Sequence, residues 1–164
     1  MPTTPLLDKI VAEEPGRYLT TEEQDALLRE SRYFEPRITA ARDAQAHEAE
    51  VVKRAVDAVL KRYDFRGRYT YGAEKCYRDV GQVYRWCAFA MLLDDRKMLE
   101  DKLLLWMRAI IQSLDFPGAN ESIRMTYKLL TDESRRALRP ASFQLMEPFL
   151  RAAEEILPAD SVAF

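Results

Sequence analysis

The spacing of apolar and polar positions predicts helices along nearly the whole chain. One buried helical face is marked by apolar side chains that recur at i, i+3, i+4, i+7 and i+8, namely Val52, Ala55, Val56, Val59 and Leu60. This face belongs to a helical stretch from Arg37 to Tyr63, in which we expect one break near Ala46. The chain has five glycines and no Val- or Thr-rich alternation, so its pattern is not that of an all-β fold.

Two short helices are expected ahead of this stretch. The first covers Leu6 to Ala12. The second begins after Thr20, an N-cap residue that can form a capping box with Glu23. It runs to about Ser31 and ends before Pro36, because proline removes a helical hydrogen bond. Together these helices form a hairpin that has too few apolar residues for a core of its own.

Further helices are predicted in the second half of the chain. One covers Ala73 to Leu93 and ends at Asp94-Asp95. A buried stripe on the following helix is predicted at helical spacing by Leu99, Leu103, Trp106, Ile110 and Leu114. Another helix covers Asn120 to Leu130, and a last one has Pro140 at its first position, a kink at Pro148 and an end near Leu157.

These patterns predict an all-α fold. Seven or eight helices after a helical hairpin is a globin-like count, and globins enclose a tetrapyrrole pocket, but the pattern alone does not separate a globin-like domain from other small all-α folds. We divide the chain into an N-terminal helical hairpin at residues 1–34 and a second helical domain at residues 35–164.

Composition narrows the classes of function. The chain has 164 residues, a net charge of −2 and 48% hydrophobic residues, as expected for a soluble globular domain. Nothing in this balance attracts nucleic acid, and no apolar run is long enough for membrane insertion. The N-terminus lacks the pattern of a signal peptide, so the expected compartment is the cytoplasm. With one histidine, His47, the chain has little for a zinc site or a catalytic triad.

The chemically richest segment is Lys75-Cys76-Tyr77-Arg78-Asp79, followed by Arg85-Trp86. It places a nucleophilic sulfur, cations, a carboxylate and aromatic rings on one predicted helix. We expect Lys75 and Arg78 to favour the thiolate of Cys76. Cys87, further along the same helix, is expected to pack in the core. This set of groups suits a large, flat, anionic ligand better than a hydrolytic reaction, so no enzyme activity is expected.

At these residues the chain resembles the phycobiliproteins, and in particular their allophycocyanin branch. The family's anchor helix carries Cys-x-Arg-Asp, an Arg-Tyr pair and a run of small and aromatic residues. The corresponding segments here are Cys76-Tyr77-Arg78-Asp79, Arg85-Trp86 and Ala88-Phe89-Ala90-Met91-Leu92. The resemblance covers about residues 6 to 130. The family's usual Gly-Asp after this helix is Asp94-Asp95 here, and the segment before Cys76 is shorter, as in a diverged member.

The resemblance implies a phycobilisome-type globin that binds an open-chain tetrapyrrole, or bilin, such as phycocyanobilin or biliverdin, for light absorption. Cys76 would form a thioether, Arg78 would pair with a propionate, and Asp79 would accept hydrogen bonds from pyrrole nitrogens. Lys75, Tyr77 and Trp86 would complete the site. Arg85 would support a propionate or pair with an acid of the hairpin.

The resemblance also implies a partner. The N-terminal hairpin would join a second copy of the chain or a phycobiliprotein-like subunit. Two alternatives to light absorption stay open. One is a carrier of bilin or haem in tetrapyrrole metabolism, with His47 as a candidate haem ligand, and the other is a pigment-free helical interaction module.

Overall fold

Two long helices contain more than half of the helical residues that the structure describes. The protein is described by a computed structural model that covers residues 18–63, 72–113 and 118–158. The helices in chain order are α1 (Thr21–Arg62), α2 (Gly72–Leu93), α3 (Arg96–Leu99), a π-helical segment (Glu100–Leu104), α4 (Leu105–Gln112), α5 (Ala119–Ala137) and α6 (Pro140–Ile156). None of the described residues lies in a β-strand, so the all-α prediction is confirmed. The helix predicted at Leu6 to Ala12 lies outside the described residues.

The start of α1 follows the predicted capping box. The Thr20 backbone N–H donates to Glu23 Oε2 at 2.8 Å, and the Glu23 backbone N–H donates to Thr20 Oγ1 at 3.3 Å. The predicted helix end before Pro36 is wrong, however, as is the break near Ala46, because α1 continues through both positions to Arg62. The boundary proposed after residue 34 falls inside this helix, and a separate role for residues 1–34 stays a prediction.

Tertiary contacts explain how the helix continues through Pro36. Pro36 is exposed, so the carbonyl that loses its helical partner can be solvated. One residue later, buried Arg37 donates to the carbonyl oxygen of Met91 at the end of α2 and lies 3.0 Å from the Asp94 carboxylate. The Tyr33 hydroxyl also donates to Asp94. These contacts fix both sides of the proline against α2, and they outweigh the local preference for a break.

The same carboxylate explains the end of α2. Asp94 has a φ of 53°, in the left-handed region that favours glycine. Aspartate tolerates this region better than most side chains do, and Tyr33 and Arg37 bind its carboxylate. The predicted end of the helix at Asp94-Asp95 is confirmed, and Asp95 then caps α3 by accepting from Met98 N at 2.8 Å.

The core lies where α1 packs against α2, α5 and α6, and α6 packs against α2 and α5. Four members of the predicted face of α1 are buried, and Leu60 is partly buried. The largest fully buried side chains include Tyr84, Met91, Leu104, Leu130, Met146 and Leu150. Each such side chain contributes about 1.5–3 kcal/mol by leaving water, so the core does not depend on a disulfide or a metal.

The π-helical segment changes which residues of α4 are buried. The Leu105 N–H donates to the Glu100 carbonyl, a bond to the fifth residue back that widens the turn. The side chains that follow are rotated relative to a regular α-helix. The predicted stripe is therefore right at Leu99 and Leu103, which are buried, and wrong at Trp106 and Ile110, which are 58% and 46% exposed. Its last member, Leu114, lies outside the described residues.

Helices α5 and α6 close the domain. The predicted helix from Asn120 extends beyond Leu130 to Ala137, and Pro140 occupies the first turn of α6 as expected. Buried Asp43 of α1 holds this corner by accepting from the backbone N–H of Arg139 at 2.9 Å. Among the described residues, no helix is long and apolar enough to cross a membrane.

Candidate functional site: a cavity beside Cys76

A cavity of about 470 Å³ lies between α1, α2, α4 and α5. Its volume falls within the range of about 300–1,000 Å³ that is typical of small-molecule sites. Apolar walls are supplied by Val56, Val59, Leu60, Met107, Ile111 and Ile123. Its polar edge belongs to α2, and exposed Trp106 and Ile110 form its outer rim. The cavity thus combines a long apolar surface with charges on one side.

Four of the seven predicted site residues line this cavity: Lys75, Cys76, Arg78 and Asp79. Cys76 and Asp79 are three residues apart on a helix, so both side chains reach the same face. Helix α2 brings a sulfur, two cations and a carboxylate to the edge of one apolar space. This arrangement fits an amphipathic ligand that has acidic groups and donor N–H groups.

The protonation state of Cys76 differs from the prediction. Burial raises the pKa of the half-buried thiol, and the nearby Asp79 carboxylate raises it further. The expectation that Lys75 and Arg78 favour the thiolate is therefore wrong. Desolvation and a like charge both oppose an anionic sulfur, and Arg78 is engaged elsewhere. At neutral pH Cys76 is held as a thiol.

The partner of Arg78 is Asp79. The Arg78 Nε–H donates to Asp79 Oδ1 at 2.8 Å, and a second guanidinium nitrogen lies 2.8 Å from the same oxygen. Both side chains are well exposed, at 66% and 44%. An exposed pair of this kind is weak, so a ligand with a carboxylate and N–H groups can separate the two and bind each one.

The other three predicted residues do not line the cavity. The Tyr77 hydroxyl donates to Asp57 of α1. Arg85 pairs with Glu48 of α1 at 2.5 Å. Trp86 is partly buried and meets Phe89 edge to face, with ring centroids 6.2 Å apart. In this structure these side chains join α2 to its surroundings, and their part in ligand binding stays a prediction.

Cys87 and His47 also lie away from the cavity. Cys87 is fully buried, as predicted, and its thiol donates to the Phe149 carbonyl at 3.5 Å. His47 Nδ1 lies 2.9 Å from the carbonyl oxygen of Asp43. The described residues contain no group of three or more His, Cys, Asp or Glu side chains that could hold a metal ion.

Several cavity residues could not be found by motif. Trp106, Met107 and Ile110 come to the cavity because the π-helical segment rotates α4. Thr126 and Tyr127 lie on α5, for which the sequence supplied a helix but no ligand-binding signal. Helical spacing did single out Trp106 and Ile110, but it predicted that both are buried in the core.

The fold and the cavity define an all-α domain with a cavity large enough for a small molecule, and sequence comparison identifies its family. A model of the phycobilisome protein family matches residues 10–157. Because the match covers most of the chain, this protein belongs to the phycobilisome protein family. Members of that family are pigment-carrying structural proteins that bind bilins covalently, harvest light and assemble into oligomers. The globin-like fold expected from the sequence is confirmed.

Proposed function

We propose that this chain binds an open-chain tetrapyrrole in the cavity beside Cys76 and uses it to absorb light. One observation carries the proposal: Cys76, Arg78 and Asp79 border the same apolar cavity. The donor set fits such a pigment, which has apolar rings, pyrrole N–H groups and acidic propionates. When bound, the pigment supplies the absorption of visible light.

Each polar residue has a distinct role in this proposal. Arg78 pairs with a propionate, for which a guanidinium has matching geometry. Asp79 accepts hydrogen bonds from pyrrole N–H groups, and its charge favours a protonated pigment. Lys75 lies at the same edge and adds positive charge near the propionates. The Cys76 thiol would add across a carbon–carbon double bond on an end ring of the pigment. The sulfur bonds to one carbon as the thioether, and the thiol proton is transferred to the other carbon, so no leaving group or oxidant is needed.

The raised pKa of Cys76 bears on the order of events. Because the sulfur is held as a thiol, we expect binding in the cavity to precede the covalent step. A protonated pigment that meets Asp79 would cancel the charge that raises the pKa of the thiol. The same observation favours a second candidate function, a carrier that holds the pigment reversibly without a thioether.

The test is co-expression with a bilin pathway, followed by zinc fluorescence of the denatured protein on a gel. Covalent attachment at Cys76 predicts a fluorescent band that is lost in Cys76→Ala and kept in Cys87→Ala. Colour that disappears on denaturation would support the reversible carrier. A colourless protein would contradict both candidates and favour a pigment-free module.

For partners, we propose that residues 1–34 join the chain to a second copy or to a related subunit. Of the described part of this segment, Leu28 is 54% exposed on α1 and Tyr18 is almost fully exposed. Burying apolar side chains of this size is favourable by about 1.5–3 kcal/mol each before the costs of association.

A further inference from the structure

The buried hydroxyl of Tyr127 has an unusually weak partner for its position in the cavity wall. Tyr127 is 3% exposed, and its hydroxyl donates to the thioether sulfur of Met107 at 3.8 Å. The neighbouring hydroxyls of Ser122 and Thr126 instead donate to backbone carbonyls of their own helix at 2.7 Å. A thioether is a weak acceptor, and a buried donor without a good acceptor is costly. The cavity therefore contains a strong donor that is not fully used.

The charges around Tyr127 determine whether a charged or a neutral acceptor suits its hydroxyl. Burial raises the pKa of Tyr127, and the surrounding groups raise it further, Asp79 first among them. The phenol thus stays protonated and can donate at any physiological pH. Because Asp79 acts on the same site, a second carboxylate placed there would be repelled. A neutral carbonyl oxygen meets no such repulsion.

We propose that Tyr127 determines the orientation of the pigment by donating its hydroxyl hydrogen bond to a lactam carbonyl on an end ring. This inference rests on the proposed function, because it assigns a further residue to the same cavity. An open-chain tetrapyrrole has neutral lactam carbonyls on its end rings and anionic propionates on its inner rings. Arg78 and Tyr127 thus select different parts of one molecule, which fixes its direction in the cavity.

Tyr127→Phe tests the proposal, since it removes the hydroxyl and keeps the ring. The matched control is Tyr84→Phe, at a tyrosine that is 1% exposed, lies outside the cavity and has no good hydrogen-bond partner for its hydroxyl. Both changes are made in a Cys76→Ser protein, so that binding is reversible, and biliverdin is titrated by absorption. Tyr127→Phe should weaken binding about three- to tenfold, as expected for one neutral hydrogen bond. Tyr84→Phe should bind like the parent.

A second ligand identifies the acceptor. Biliverdin dimethyl ester keeps the lactam carbonyls but lacks ionised propionates. The ratio of the two affinities, parent over Tyr127→Phe, should be the same for the ester as for biliverdin. If the ratio fell to one with the ester, Tyr127 would bind a propionate and the proposal would be overturned.

The remaining outcomes separate this inference from the proposed function. If the parent binds biliverdin and Tyr127→Phe binds it equally well with the same spectrum, the inference fails and the proposed function stands. If neither the parent nor Tyr84→Phe binds, the proposed function fails and the inference falls with it. Met107→Leu removes the present acceptor but also alters the cavity wall, so it serves only as a background. In Met107→Leu, adding Tyr127→Phe should still weaken binding about three- to tenfold. If Tyr127→Phe had no effect in that background, the contact with sulfur would be what matters, which would also overturn the inference.

Discussion

Removing the buried carboxylate of Asp43 should destabilise the fold at the corner between α1 and α6. The Asp43 side chain is 3% exposed and accepts a hydrogen bond from the Arg139 backbone N–H at 2.9 Å. It also lies 3.4 Å from the Arg139 guanidinium and accepts from the Ser142 side chain. Asp43→Ala leaves at least two of these donors without an acceptor, and each buried one costs about 1–3 kcal/mol.

The expected loss for Asp43→Ala is about 2–4 kcal/mol, out of a total stability of about 5–15 kcal/mol for a typical domain. At about 2–4 °C per kcal/mol for a chain of this size, the unfolding midpoint should fall by about 4–16 °C. Asp43→Asn keeps one acceptor oxygen and should lose less. Thermal unfolding followed by circular dichroism measures both variants against Asp132→Ala. Asp132 is an exposed aspartate that pairs with Lys128 on its own helix and should matter little.

The effect of Asp43 should also depend on pH. Burial alone would raise its pKa, but the bonds from Arg139 and Ser142 and the Arg139 charge outweigh burial and lower it. A lowered pKa means that Asp43 contributes its stability above its unfolded pKa, about 3.9, and that the contribution is lost as pH falls through the folded value. The difference in stability between the wild type and Asp43→Asn should have its full size at neutral pH and become smaller below about pH 4. An Asp43→Ala midpoint equal to that of the Asp132→Ala control would refute the reasoning.

Three further outcomes are expected from the site and from α1. Alkylation of Cys76 by iodoacetamide should be slow at neutral pH, because burial and the Asp79 carboxylate raise the pKa of the thiol. Asp79→Asn should make the alkylation faster, and an unchanged rate would show that Asp79 does not raise this pKa. Asp79→Asn should also shift the absorption of bound pigment to the blue or broaden it, whereas an identical spectrum would leave Asp79 as a surface anion. Leu28→Glu should weaken self-association in sedimentation equilibrium, while Ile38→Glu, at an exposed site outside residues 1–34, should not.

Local sequence signals predicted the starts of helices well, because the start of a helix depends on residues that are neighbours in the sequence. The pair Thr20 and Glu23 forms the expected capping box, and Pro140 opens α6 as expected. Pro36 shows the limit of such signals. The bonds that carry α1 past it come from Tyr33 and Arg37 to residues far along the chain, and no local pattern contains them.

The candidate site was predictable in part for the same reason. Cys76, Arg78 and Asp79 were recognised as a motif on one helix, and their spacing places them at one cavity. Trp106 was assigned to the wrong environment, because regular helical spacing takes no account of the π-helical turn before it. No sequence pattern indicated Tyr127. It became a candidate only because its hydroxyl has a poor hydrogen-bond acceptor, and that contact exists only in the folded protein.

The unbroken course of α1 has a consequence for how light energy would leave this protein. A helix of 42 residues is about 60 Å long at about 1.5 Å per residue, and α1 runs from within residues 1–34, the proposed association segment, to the cavity wall at Val56 and Leu60. Transfer between pigments falls steeply with their separation and depends on the angle between their transition dipoles. A flexible linker would average both quantities over many arrangements. If residues 1–34 dock a neighbouring subunit as proposed, a single helix would instead hold that neighbour's pigment at one distance and one angle, and the continuity of the backbone through Pro36 would become an optical property of the assembly.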